Sequence, residues 1–158
     1  AIWGNDTWAI ELSTYKTQIA AVLALSDGYS IWQYQNFRSA ATSATADPDG
    51  DGFSNLEEYA YGLDPKVKSP RSAAPQIALT TYADGQALTV TFTRNKLATD
   101  APPIVEVSGD LVSWTSATGA TAVVSSTDLG NDVQRLVVRD ATTTATAARR
   151  FMRVRLAR

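Results

Sequence analysis

Twelve residues constrain this chain more than any other stretch: Asp47-Pro48-Asp49-Gly50-Asp51-Gly52-Phe53-Ser54-Asn55-Leu56-Glu57-Glu58. Three carboxylates lie within five residues and repel one another unless a cation neutralises them. A hard cation takes about six to eight oxygens at about 2.3–2.6 Å, and alternate residues of a tight loop converge on one point. Asp47, Asp49 and Asp51 fall at loop positions 1, 3 and 5, and Gly52 stands where the backbone must turn sharply. Phe53 offers its carbonyl at position 7, Asn55 sits at position 9, and Glu58 at position 12 can bind through both oxygens. The spacing predicts a Ca2+ site made by Asp47, Asp49, Asp51, the Phe53 carbonyl, Asn55 and Glu58. The competing reading is an acidic turn with no metal, which leaves its charges uncompensated.

Position 8 of a paired EF-hand loop carries a branched apolar residue, and here it is Ser54. The chain has no second loop of this pattern. The stretch is similar to the unpaired loops of thrombospondin type 3 repeats and dockerins. Continued through Tyr59-Ala60-Tyr61-Gly62-Leu63-Asp64-Pro65, it resembles the calcium segment of large secreted bacterial proteins, notably those of Verrucomicrobia. That likeness spans about residues 29–70. Val105-Glu106-Val107-Ser108-Gly109-Asp110-Leu111-Val112-Ser113-Trp114 and Arg150-Phe151-Met152-Arg153-Val154-Arg155 resemble segments of the β-rich C-terminal modules of the same proteins. The resemblance implies a secreted, modular, calcium-loaded protein and names no substrate.

In chain order, residues 1–12 read as an extended segment rich in large apolar groups, Trp3 and Trp8 among them, with a glycosylation sequon at Asn5. Apolar residues at helical spacing predict a helix from Ser13 to Leu25, broken at Ser26-Asp27-Gly28 with Gly28 as a left-handed stop. A second helix, Tyr29 to Arg38, would lead toward the loop. A short exit helix is expected from Asn55 to Tyr61, ended by Gly62. Trp32, Phe37, Phe53, Leu56 and Tyr59 read as a small core around the loop; an aromatic sugar-binding face is the alternative. Beyond a proline-marked linker at residues 66–75 the apolar period changes to two. Six or seven short strands follow, one of them Leu88-Thr89-Val90-Thr91-Phe92-Thr93 with a Thr face. Expected core residues are Leu88, Val90, Phe92, Val105, Val107, Trp114, Val137 and Val154. The fold class is therefore α+β: a small helical EF-hand-like calcium module, residues 1–70, followed by an antiparallel β-sandwich, residues 71–158.

The chain contains no Cys and no His, which excludes disulfides, thiolate or histidine catalysis, and metal sites built on those side chains. Net charge is −2, so no global field draws nucleic acid. No apolar run is long enough to span a membrane, and Ala1 does not open a signal peptide, as expected of a mature or excised form. Residues 47–64 hold six acids and no base, whereas residues 149–158 hold five arginines and no acid. The arginine strand reads either as a solvated edge that resists aggregation or as a docking face for an acidic partner. The clustered carboxylates are all claimed by the loop, and no nucleophile elbow, phosphate loop or dinucleotide fingerprint appears. The leading expectation is a non-enzymatic, extracellular or cell-surface module stabilised by calcium, self-associating or binding another surface protein as a subunit of a surface layer or fibre. The alternative is a carbohydrate-binding accessory module of a larger secreted enzyme, with a glycan as partner. Residues 1–12 are expected to cover themselves on a β-sandwich, their own or a second copy's, or on their own helices.

Overall fold

The computed structural model describes residues 15–16, 18–20, 22–147 and 149–158. The expectations for residues 1–12, with Trp3, Trp8 and the sequon at Asn5, fall outside them. The chain divides into two compact units, residues 1–42 and 43–158. Among the described residues, no helix is long and apolar enough to cross a membrane.

In the first unit the described residues of 15–23 are helical, and helix α1 follows at Gly28–Phe37. The break between them is made by a cap and not by a left-handed glycine. Asp27 is extended, and its Oδ1 accepts the Ser30 N–H at 2.8 Å, so Gly28 becomes the first helical residue. The helix stops where Arg38 turns left-handed. Trp32 stacks on Tyr29 and meets Phe37 edge-on, with ring centroids 5.7 and 5.9 Å apart.

The second unit holds helix α2 (Asn55–Tyr61), a 3₁₀ turn (Arg71–Ala73) and six strands: β1 (Gln76–Tyr82), β2 (Gly85–Asn95), β3 (Pro103–Ser108), β4 (Thr121–Gly130), β5 (Val133–Asp140) and β6 (Phe151–Leu156). All pairings between these strands are antiparallel, in a four-stranded sheet of order β1-β2-β5-β4 and a two-stranded sheet β3-β6. Val90 stands opposite Ile77 on one side and Val138 on the other, and Phe92 opposite Leu136. These alternate residues share a face, as the period of two requires. They bury Val90, Phe92, Leu136 and Val138 against Val105, Val107 and Met152 of the smaller sheet, with Leu88, Ala120 and Val154 packed alongside.

The opposite face of β2 carries Thr89, Thr91 and Thr93. From that side Thr93 Oγ1 donates to the Tyr61 carbonyl at 2.9 Å, and Asn95 Nδ2 donates to the Tyr59 carbonyl at 3.1 Å. These ties join α2 to the sheet, so the division of the chain falls at residue 42/43 and not at the linker near residue 70. Trp32 and Phe37 consequently lie in the first unit, while Phe53 and Tyr59 are buried in the second.

Two expected core residues are elsewhere. Trp114 belongs to the loop after β3, only half-buried, with the Arg153 guanidinium 4.1 Å over its ring. Val137 points to the Thr face, because the run Leu136-Val137-Val138 has no alternation of its own and its parity is set by pairing with β2. A further buried element lies at the end of β5. Asp140 is fully buried and takes a two-point contact from Arg150, Nε to Oδ2 at 2.7 Å and Nη2 to Oδ1 at 2.9 Å.

Two substitutions test this packing in denaturant unfolding. Phe92→Ala, in the centre of the shared core, should cost about 3–5 kcal/mol. Arg150→Ala strands the Asp140 carboxylate without its cation and should cost a similar ~3–5 kcal/mol. A loss under ~1 kcal/mol at either position would contradict the packing described.

Candidate metal centre

The loop that opens the second unit is shaped by its own aspartates. Asp47 Oδ1 accepts the N–H groups of Gly50 (2.8 Å) and Asp51 (3.2 Å), and its Oδ2 accepts that of Gly52 at 2.9 Å. Asp49 Oδ1 accepts the Asp51 N–H at 3.1 Å, and Asp51 Oδ1 that of Phe53 at 2.7 Å. Such side-chain-to-backbone bonds are why Asp favours turns over helices. At Gly52 the chain takes φ +97°, a conformation a side chain would strain. The loop closes where the N–H groups of Asn55 and Leu56 reach back to the carbonyls of Ala46 and Ala44, at 2.8 and 3.0 Å.

Helix α2 starts at once. Ser54 Oγ accepts the Glu57 N–H, and the Glu57 carboxylate accepts the Ser54 N–H, a reciprocal cap. Gly62 ends the helix at φ +74°, its Cα so close to Val133 that an added Cβ would lie 2.7 Å from that side chain. The seven-residue helix orients Glu58 inward.

The geometry gathers the expected residues as follows. One carboxylate oxygen from each of Asp47, Asp49 and Asp51 lies within 4.8 Å of the others. Glu58 is fully buried (0% exposed), and neither of its carboxylate oxygens has a hydrogen-bond partner. Asp49 Oδ2 and Asn55 Oδ1 are likewise buried without partners, although Asn55 Nδ2 donates to the Ser43 carbonyl at 2.8 Å. The Phe53 ring is buried, and the peptide that bears its carbonyl is held through the Ser54 N–H, which donates to Glu57 Oε2 at 2.8 Å.

A buried carboxylate with no donor is costly unless it is neutralised. Burial pushes the Glu58 carboxyl up to about 7, with the charges of Asp49, Asp51, Asp47 and Asp64 adding to the rise. Asp49 is raised as well, by burial and then by Asp51. Asp47 moves the other way, because the Gly52 N–H leads a set of backbone donors that stabilise its charge. Three aspartates therefore cluster, two of the four acids resist ionisation, and four buried side-chain oxygens, on Glu58, Asp49 and Asn55, lack donors. An all-oxygen set of this kind suits a hard divalent cation, and imidazole or thiolate plays no part.

Three contacts around the loop were not read from the sequence. Asp51 Oδ2 accepts the N–H of Ser69, eighteen residues on, at 2.7 Å. The Tyr59 hydroxyl donates to Asp100 Oδ1 at 2.6 Å, which ties α2 to the loop after β2. The Ser54–Glu57 cap did have a signal, a Ser followed three residues later by Glu, hidden within the stronger metal pattern.

Comparison of the chain with protein-family models, with curated proteins and with solved structures finds no match.

Tyr59→Phe keeps the buried ring and removes the hydroxyl that meets Asp100. It should destabilise by about 1.5–3 kcal/mol, the range for a hydrogen bond to a charged group. Chemical denaturation measures this, and an unchanged midpoint would mean that α2 is not fastened through Asp100.

Proposed function

We propose that the chain is an extracellular, calcium-stabilised structural and interaction module, a self-associating subunit of a surface layer or fibre. In this reading an EF-hand-like loop is fused to a β-sandwich, and the cation is part of the fold. The observation that carries it is Glu58: a fully buried carboxylate, both oxygens without a donor, facing the charge of three aspartates. The residues that would hold the ion are Asp47, Asp49, Asp51, the Phe53 carbonyl, Asn55 and Glu58. Calcium fits better than magnesium, because it accepts a large, irregular oxygen shell and a two-point carboxylate, whereas magnesium demands a near-ideal octahedron. Extracellular modules of this type bind at about 10⁻⁴–10⁻³ M, matched to calcium outside cells. The likeness to secreted calcium-loop proteins supports the same location.

The ion's effect would not stop at the loop. Asp51 also holds Ser69, and α2 is bonded to β2, so ordering the loop orders the linker and one end of the sheet. The carbohydrate-binding alternative has less support. Of the aromatic set around the loop that it would use, Phe53 and Tyr59 are buried.

The test is thermal unfolding with calcium and with chelator. Calcium at 100 times its dissociation constant should add about 2.7 kcal/mol. Glu58→Gln keeps the shape, removes the charge, and should abolish most of the response. A melting temperature indifferent to chelator would defeat the calcium reading.

A further inference from the structure

One strand arginine is not used by the fold. Strands β2, β5 and β6 carry Arg94, Arg135, Arg139, Arg153 and Arg155. Arg94 donates to Gln134 Oε1 at 2.9 Å, Arg139 meets Asp84 at two points, 3.0 and 2.8 Å, and Arg153 and Arg155 share Glu106. Among the described residues, Arg135 makes no hydrogen bond and no ion pair. It stands opposite Thr93 on β2 and Thr127 on β4, next to core residue Leu136 and so on the face turned away from the shared core.

A guanidinium in open water needs no partner. Arg135, however, lines a cavity of about 220 Å³ between the Thr face of β2 and the turn at residues 70–74. Two hydroxyls on that cavity, Ser72 and Thr91, are also without a hydrogen-bond partner among the described residues. No acid lines it, and Leu63, Pro70, Ala73 and Ala74 give it an apolar wall. The wall is fixed by backbone bonds. The Ala73 N–H donates to the Pro70 carbonyl at 2.8 Å, that of Ala74 to Arg71 at 3.2 Å, and that of Leu63 to Glu58 at 2.8 Å. An apolar recess with a few convergent polar groups is the usual form of a small-ligand site.

We propose that this cavity binds a small organic acid, with its carboxylate on Arg135, Ser72 and Thr91 and a short apolar tail on Leu63, Pro70 and Ala73. The ligand class follows from the donors. A planar guanidinium matches a carboxylate at two points, and hydroxyls can donate to the remaining lone pairs. One cation balances one negative charge, and the apolar wall favours a ligand with carbon to bury over an inorganic anion. That wall also shields the pair from water on one side, which strengthens it relative to a pair on an open surface. The site lies within the second unit and does not depend on the ion.

Nuclear magnetic resonance of the ¹⁵N-labelled full chain tests this, at constant ionic strength, with butyrate as the probe and butyramide as its uncharged counterpart. Butyrate should move the signals of Thr91, Thr93, Gln76 and the Arg135 Nε–H saturably, and butyramide should not. Arg135→Gln, at an exposed position, should weaken butyrate by about tenfold or more in Kd. Thr91→Val should weaken it by about two- to tenfold, the range for one hydrogen bond. Arg71→Gln removes an exposed charge from the same turn, outside the cavity lining, and should leave binding unchanged. Dispersed spectra show that each variant is folded. Equal binding of butyramide overturns the proposal, as does the absence of a saturable shift with butyrate. So does sulfate moving these signals where butyrate does not, or Arg71→Gln weakening binding as much as Arg135→Gln.

Discussion

A carboxylate buried beside three others is the constraint on which the second unit depends. Glu58 has no exposed surface and no donor on either oxygen, while Asp49, Asp51 and Asp47 raise the cost of its ionisation. Ordinary folding removes such an arrangement, by exposing the group or giving it a cation. Here the surrounding structure keeps it. The Ser54–Glu57 cap starts α2 one turn before Glu58, Gly62 stops it one turn after, and the Tyr59 hydroxyl pins the next residue to Asp100. The local structure thus keeps Glu58 buried close in sequence to the three aspartates of the loop.

The loop is also a junction. Asp47 spends its oxygens inside the loop, but Asp51 divides its own between Phe53 nearby and Ser69 at a distance. The linker before β1 is therefore tied to the same carboxylate set. Helix α2, too short to be stable alone, is bonded through Thr93 and Asn95 to the far end of β2. Loop, helix and sheet thus belong to one compact unit, whereas the residues before Ser43 fall in another. A division drawn from composition at the prolines of the linker misses this, because prolines mark where regular structure stops and not where contacts cease.

Legibility followed the range of the determining interaction. The extent of α2 was readable, since a helical run and a Gly stop are local, although its Ser54 cap was not read. The strands of the second unit were readable from alternation, and the Thr face of β2 with them. Val137 was not, because three consecutive apolar residues carry no parity until β2 supplies it. Trp114 was misread as core for a related reason: a large aromatic near a strand is usually inside, but the strand ends at Ser108 and the ring is covered from outside by Arg153. The candidate site was legible only as a spacing of oxygen-bearing residues. The burial of Glu58 and Asn55, their orphaned oxygens, and the reach of Asp51 to Ser69 depend on the folded chain.

The arginines of β6 illustrate how partners decide what a charge does. Read alone, Arg153 and Arg155 look like a free cationic edge. In the fold, Glu106 on β3 faces them, accepting Arg153 Nε at 2.8 Å and Arg155 Nε at 3.0 Å, and Arg153 also covers Trp114. Those two hydrogen bonds hold the Glu106 carboxyl below its ordinary range. The pair of guanidiniums is largely committed to tying β6 to β3, a sheet of two strands that needs such cross-strand support.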